Sequence, residues 1–315
     1  MLLAAGLGTR LRPLTLERAK PAIPLLGKPL VLRLVERLIE SGASAFRVNL
    51  HHLPDTIRRV FEGKALPISF SFEPEILGTA GGLAANEAFF DQGTFLMVNG
   101  DIVMDFDLRE ALAFHRERRA LATLVLIPQQ PPYRYTQLKI DSDYRITGLK
   151  GSRTSGSLSS ETYVFTGVHI LEPEIFSFIP PGVFYEINDQ VYPEAIGKGL
   201  PVYGFPVDGY WNDLGSPARY LEAQRDLFKR GGITPSSWIA SGATVEDQAC
   251  LGPLVSAEDG VLLERRSFAE YSILWRGARV TTGALLRNCI VGSGVTVTGT
   301  HENKVITLKG EAPIA

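Results

Sequence analysis

Leu2-Leu3-Ala4-Ala5-Gly6-Leu7-Gly8-Thr9-Arg10-Leu11-Arg12-Pro13-Leu14-Thr15 stands almost at the start of the chain, and its reading decides the rest. A short apolar strand, Met1 to Ala5, feeds a loop carrying Gly6, Gly8, Arg10 and Arg12, and Pro13 stops it. The strand is so short that a few natural residues before Met1 are expected. Gly6 and Gly8 permit a sharp turn and a close approach to another molecule. Successive N–H groups in such a loop form an anion-binding concavity. Arg10 and Lys20 add positive charge beside it, and Pro21 biases Lys20 away from helix. The stretch reads as a phosphate cradle. It is not a Walker A loop, because no Gly-Lys-Ser/Thr ends it. Nor is it the dinucleotide fingerprint, because Leu11 stands where the third glycine belongs.

Working outward, Leu30, Leu34, Val35, Leu38 and Ile39 recur at helical spacing, and Ser41-Gly42 closes the run. Phe46 to Leu50 reads as a strand, Pro54 opens a helix through Phe61, and Ile68, Phe70 and Phe72 alternate as a strand. Leu77-Gly78-Thr79-Ala80-Gly81-Gly82 reads as a second glycine loop with a helix after it through Phe90. Phe95 to Val98 is a buried strand running into Asn99-Gly100-Asp101. Residues 107–118 are helical, and Leu121 to Ile127 is a further strand. This alternation predicts an α/β fold on a mostly parallel sheet. Gly151 to Ser160 reads as a mobile loop, Tyr163 to Leu171 as a strong strand, and Pro217 to Phe228 as a helix.

From about Ile233 helical periodicity disappears. Aliphatic residues return at six-residue intervals: Val245 with Leu251, Val280 with Leu286, Val291 with Val297. A hexapeptide repeat of this kind predicts a small left-handed parallel β-helix, ragged around 253–270, against the alternative of antiparallel hairpins. The chain therefore divides into 1–232 and 233–315.

The 315 residues suffice for a sizeable core, and 45% hydrophobic with 21% charged residues is ordinary for a soluble protein. A net charge of −2 argues against an electrostatically driven nucleic-acid or membrane binder. Cys250 and Cys289 supply neither a disulfide framework nor a cysteine-rich zinc site. With no signal peptide and no apolar run of membrane length, a cytoplasmic location is expected.

Asp101 follows a core strand, at the sheet edge where ligands collect in open α/β folds. A carboxylate there, beside a phosphate loop, suits Mg²⁺. Asn-Gly-Asp is equally turn chemistry. Asp213, in Gly209-Tyr210-Trp211-Asn212-Asp213-Leu214-Gly215-Ser216-Pro217, would supply a second carboxylate, and it also fits an N-cap near Pro217. Arg10, Arg12, Lys20 and Lys28 form a basic cluster. Such clusters are commonly solvated faces, but here the glycines favour convergence on an anion.

The opening stretch with Lys20-Pro21 closely resembles the sugar-1-phosphate nucleotidyltransferases. Leu77 to Gly82, Asn99 to Asp101, Phe165-Thr166-Gly167-Val168 and Trp211 to Pro217 follow in the family's order, across roughly residues 1–230. The resemblance implies a Rossmann-like three-layer domain, and a β-helical tail is common in the family. It also implies attack by a sugar 1-phosphate on the α-phosphorus of a nucleoside triphosphate, with pyrophosphate leaving. Arg10 would hold the pyrophosphate, Lys20 would reach the α-phosphate or the sugar phosphate, and Asp101 would act in catalysis. Asp101 and Asp213 would hold Mg²⁺. Leu3, Ala4, Ala5, Gly6, Gly8, Thr9, Gly78, Thr79 and Gly81 would face the nucleotide, and Gly167 would line the sugar pocket.

One departure stands out. Many members carry Glu-Lys-Pro before the Thr-Gly strand, whereas this chain has Leu149-Lys150-Gly151-Ser152-Arg153, so Lys150 or Arg153 would have to replace that lysine. The Leu-Gly-Thr-Ala-Gly loop favours guanylyl transfer to mannose 1-phosphate. Transfer of uridylyl to N-acetylmuramic acid 1-phosphate, or of uridylyl or thymidylyl to other sugar 1-phosphates, is the alternative. A non-catalytic nucleotide-sugar sensor would be expected to lack a catalytic charge, and Arg10, Lys20, Asp101 and Asp213 are all present. An acyltransferase needs a histidine by the repeat, where only His301 lies beyond 233. The open end of a β-helix allows a homo-oligomer.

Overall fold

The computed structural model describes residues 1–129, 135, 137–147, 162–231 and 237–314. The chain forms two compact units. One comprises Met1–Gly6, Leu34–Pro54 and Gly63–Trp211, the other Leu7–Arg33, Asp55–Glu62 and Asn212–Ala315.

The first unit is built on one sheet, in the order Val202–Pro206, Ala122–Pro128, Tyr163–Leu171, Phe95–Asn99, Leu2–Leu3, Phe46–Leu50, Ile68–Phe72. Leu2–Leu3 lies in the middle, parallel to both neighbours, with Leu2 opposite Val48 and Val98. Burial on both faces explains why Phe95–Asn99, Ala122–Pro128 and Tyr163–Leu171 read as apolar runs, while the edge strand Ile68–Phe72 alternates. The fold is Rossmann-like and the sheet mostly parallel, as expected. Tyr163–Leu171 is the exception and runs antiparallel to Phe95–Asn99 and Ala122–Pro128. Its register against Ala122–Pro128 shifts between Phe165 and His169. Gly167 sits in that bulge at φ 83°, a backbone angle that disfavours side chains.

The reading of Leu77 to Gly82 as a loop is corrected: Gly78–Ala84 is helical, and a separate turn of helix follows at Glu87–Phe90. Gly78 turns the chain into the helix at φ 73°, and Gly78 and Gly81 both serve close packing. A Cβ on Gly78 would stand 2.6 Å from Tyr185 O, and one on Gly81 would stand 2.4 Å from Val183 O. Ala80 and Leu83 join the core with Met97, Leu124, Ile187 and Tyr192. Ile187–Val191 and Tyr192–Gly197, a π turn running into a helix, were not anticipated. The expected loop at Gly151 to Ser160 lies outside the described residues.

In the second unit three ladders of short parallel strands stack coil on coil. Val245, Leu263, Val280 and Val297 form one column, and Leu251, Ala269, Leu286 and His301 another. This is a parallel β-helix. The only antiparallel pair described in it is the closing hairpin, Lys304–Thr307 with Gly310–Pro313. The ragged stretch supplies Val255–Ala257, Leu262–Leu263 and Phe268–Glu270. Its repeat is hard to read because Ala257 and Ala269 take interior places where larger aliphatics stand in other coils.

Candidate active site

In the second unit, Gly8 caps the Thr9–Leu11 turn at φ 61° and ψ 31°. Leu11 N donates to Gly8 O at 3.0 Å, and Thr15 Oγ1 donates to the same carbonyl at 2.9 Å. A Cβ on Gly8 would stand 2.8 Å from Thr15 Cγ2 and 3.4 Å from Lys20 Cβ, so the loop folds tightly back on itself. Lys20 is buried, while Thr9 and Arg10 remain exposed. Gly6, in the first unit, differs: a Cβ there would meet nothing within 4 Å.

Arg10 and Asp213, distant in sequence, come to one place. Their Nη1 and Oδ2 lie 3.4 Å and 2.7 Å from where a Gly215 Cβ would stand. Asp213 Oδ1 lies 3.0 Å from Arg219 Nη2, whose Nε and Nη2 also donate to Asn212 Oδ1 at 3.2 and 3.0 Å. Buried Arg219 thus orients the carboxylate. The N-cap of Pro217–Arg230 is Ser216, which accepts from Arg219 N, so the capping alternative for Asp213 falls.

In the first unit, Leu3 is half-buried, and Ala4 and Ala5 are buried where the central strand ends. Leu3 O accepts from Gly100 N at 2.9 Å, which sets Asn99-Gly100-Asp101 beside that end. Asp101 is half-buried in the turn between Phe95–Asn99 and Ile102–Asp105. A Cβ on Gly167 would stand 2.6 Å from Asn99 Nδ2. Thr79 Oγ1 donates to Glu186 Oε2 at 2.6 Å and accepts from Ile187 N at 2.9 Å, tying Gly78–Ala84 to the segment after Val183. Lys150 and Arg153 lie outside the described residues. Among the described residues no group of three or more His, Cys, Asp or Glu could hold a metal ion.

Residues 1–230, which contain every one of these segments, match the family described as Nucleotidyl transferase. The chain belongs to the nucleotidyl transferase family. It is an enzyme of the nucleotidyltransferase class. It is similar to the UTP–glucose-1-phosphate uridylyltransferase of Synechocystis sp., with 32% identity over 92% of this chain and 82% of that protein. The mannose-1-phosphate guanylyltransferase of Mycobacterium tuberculosis is 28% identical over 94% of this chain and 80% of that protein. Among solved structures, HddC from Yersinia pseudotuberculosis superposes with a TM-score of 0.61 at 23% identity, over 72% of this chain and 97% of that chain. That likeness shows the shared nucleotidyl transferase fold. No helix among the described residues is long and apolar enough to cross a membrane.

In the first unit Asn49, Glu73 and Glu186 brace Ala4, Leu77 and Thr79, and in the second Arg219 braces Asp213; the sequence reading passed over all four. Only proximity to a strand end could have flagged Asn49. No motif marks the others: Glu73 meets Leu77 four residues on and Arg219 meets Asp213 six residues back, spacings with no signature here, while Glu186 meets Thr79 across 107 residues.

Proposed function

We propose that the chain transfers a nucleotidyl group from a nucleoside triphosphate to a sugar 1-phosphate, releasing pyrophosphate. A phosphate oxygen of the sugar attacks the α-phosphorus, and the bond from that phosphorus to the pyrophosphate breaks. Such chemistry needs positioning and charge neutralisation and no nucleophilic side chain. The observation that carries the reading is the meeting of Arg10 and Asp213 at Gly215, beside the folded loop that buries Lys20. Arg10 would hold the departing pyrophosphate, and Lys20 would reach the α-phosphate or the sugar phosphate. Backbone at Leu3, Ala4, Ala5, Gly6, Gly8 and Thr9, with Gly78, Thr79 and Gly81, would face the nucleotide. Gly167 and Lys150 would serve the sugar.

Asp101 and Asp213 are the residues proposed for Mg²⁺. Their carboxylates suit a hard cation that takes few protein ligands and completes its shell with water and phosphate oxygens. When bound, the ion neutralises charge on the reacting phosphates. Asp213 Oδ1 faces Arg219, and Oδ2 lies on the Gly215 side.

Guanylyl transfer to mannose 1-phosphate is the leading substrate pair, supported by the guanylyltransferase relatives. Uridylyl transfer to glucose 1-phosphate is the second reading, supported by the 32% identity to the Synechocystis protein. On this reading residues 1–232 carry the chemistry, residues 233–315 form the β-helical part, and copies associate through it. Pyrophosphate release should be measured with four nucleoside triphosphates against several sugar 1-phosphates in Mg²⁺. GTP with mannose 1-phosphate is expected to be fastest. Faster turnover of UTP with glucose 1-phosphate would favour the second reading, and no release with any pair would sink both.

A further inference from the structure

Two buried side chains join the backbone segments proposed to face the nucleotide. Ala4 N donates to Asn49 Oδ1 at 2.7 Å, Asn49 Nδ2 donates to Glu73 Oε1 at 2.7 Å, and Leu77 N donates to Glu73 Oε2 at 3.2 Å. Asn49 and Glu73 are 2% and 3% exposed. Gly82 leaves them room: a Cβ there would stand 2.6 Å from Glu73 Oε1 and 3.1 Å from Asn49 Nδ2.

The polarity of this relay is locked. Both of its ends are backbone N–H donors, so each end demands an acceptor. At the middle contact one donor must face one acceptor. An amide with a carboxylate satisfies that count, and Ala4 N–H sets the orientation of the amide. Two carboxylates would put acceptor against acceptor. Two amides would leave one donor aimed at another. In a buried site either mismatch is costly.

We propose that Asn49 and Glu73 are paired positioning residues that set the separation of Ala4 from Leu77, and so the affinity for the nucleotide. The proposal rests on the reading that these two segments hold the nucleotide. Because that contact is made in the ground state and the transition state alike, the pair should govern KM for the triphosphate far more than kcat.

The relay can be rebuilt with its polarity reversed. With Asn49→Asp and Glu73→Gln together, residue 49 accepts from Ala4 N and from the new amide, whose oxygen accepts from Leu77 N. The test is steady-state pyrophosphate release by the whole chain carrying Asn49→Asp, Glu73→Gln or both, with thermal melting of each. Each single variant is expected to raise KM for the triphosphate about tenfold or more with kcat within about threefold, and the double variant to return within about threefold of the parent. A purely structural pair would lower the melting midpoint or the active fraction and leave KM unmoved, which would overturn the proposal. So would a double variant as impaired as the singles. Should a single variant fail to fold, Glu73→Asp, which keeps an acceptor but shortens the reach to Leu77 N, takes its place: a raised KM with kcat within about threefold is expected, and an unmoved KM, or a double that also fails to fold, overturns the proposal. Absence of turnover in the parent chain would instead sink the proposed function, so the two failures are distinguishable.

Discussion

Gly8 shows how much one position decides. Its left-handed backbone costs a side-chain-bearing residue roughly 1–2 kcal/mol before any contact is counted. The added methyl would also press on Thr15 Cγ2 at 2.8 Å. Gly8→Ala is therefore expected to lower kcat/KM at least about tenfold by opening the loop, read by the pyrophosphate assay. Asp101→Ala should lower kcat by about a hundredfold or more if the carboxylate serves the metal, and near-normal turnover would remove Asp101 from that role. His169 makes a prediction about pH. It is buried, with Nδ1 2.5 Å from Tyr192 OH, and loss of water around its charged form pulls its pKa from 6.5 to about 3. Between those values the unfolded chain binds a proton that the folded chain refuses, so stability falls as pH drops through that window. His169 should account for about 2 kcal/mol of the stability change seen in urea denaturation between pH 7.5 and 5, and His169→Gln should flatten the slope by that amount.

At the scale of elements, the Gly78–Ala84 helix is the instructive case. Its glycine content looks like turn chemistry, yet the glycines are needed because the 183–185 backbone lies against the helix. Gly81→Ala would put a methyl 2.4 Å from Val183 O, a backbone atom that cannot swing aside. The variant should lose about 1–3 kcal/mol, read as a lower denaturant midpoint at unchanged m-value. The β-helix is tied to the loop segment of its own unit. Arg18 lies 4.7 Å from the Trp275 ring centroid, and its Nη2 is 3.3 Å from Glu258 Oε2. Ser293 N donates to Glu17 Oε2 at 3.1 Å.

At the scale of the molecule, these ties make the C-terminal coils part of one compact unit with Leu7–Arg33. Trp275 Nε1 donates to Tyr220 OH at 3.1 Å, and the same hydroxyl donates to Pro24 O. Gln224 Nε2 donates to Leu254 O at 3.2 Å, and Ser256 Oγ donates to Gln224 Oε1 at 2.5 Å. Ending the chain at residue 232 would leave Arg18, Tyr220 and Gln224 without these partners. The shortened protein is expected to melt at least about 10 °C lower than the full chain, or to be insoluble, as differential scanning calorimetry and sedimentation would show.

Reading residues in order was enough for what depends on near neighbours. Leu30–Glu40, Phe46–Leu50, Pro54–Phe61 and Tyr163–Leu171 were all legible, because an apolar period and a capping residue act over a few positions. The Gly6–Arg10 loop and the aliphatic columns of the β-helix were legible for the same reason. Contacts across long separations were not. The antiparallel course of Tyr163–Leu171, the helix at Gly78–Ala84 and the Ala4–Asn49–Glu73–Leu77 relay come from packing and hydrogen bonding among residues the fold brings together. A side chain's type says what it can donate or accept, and the fold alone supplies the partner.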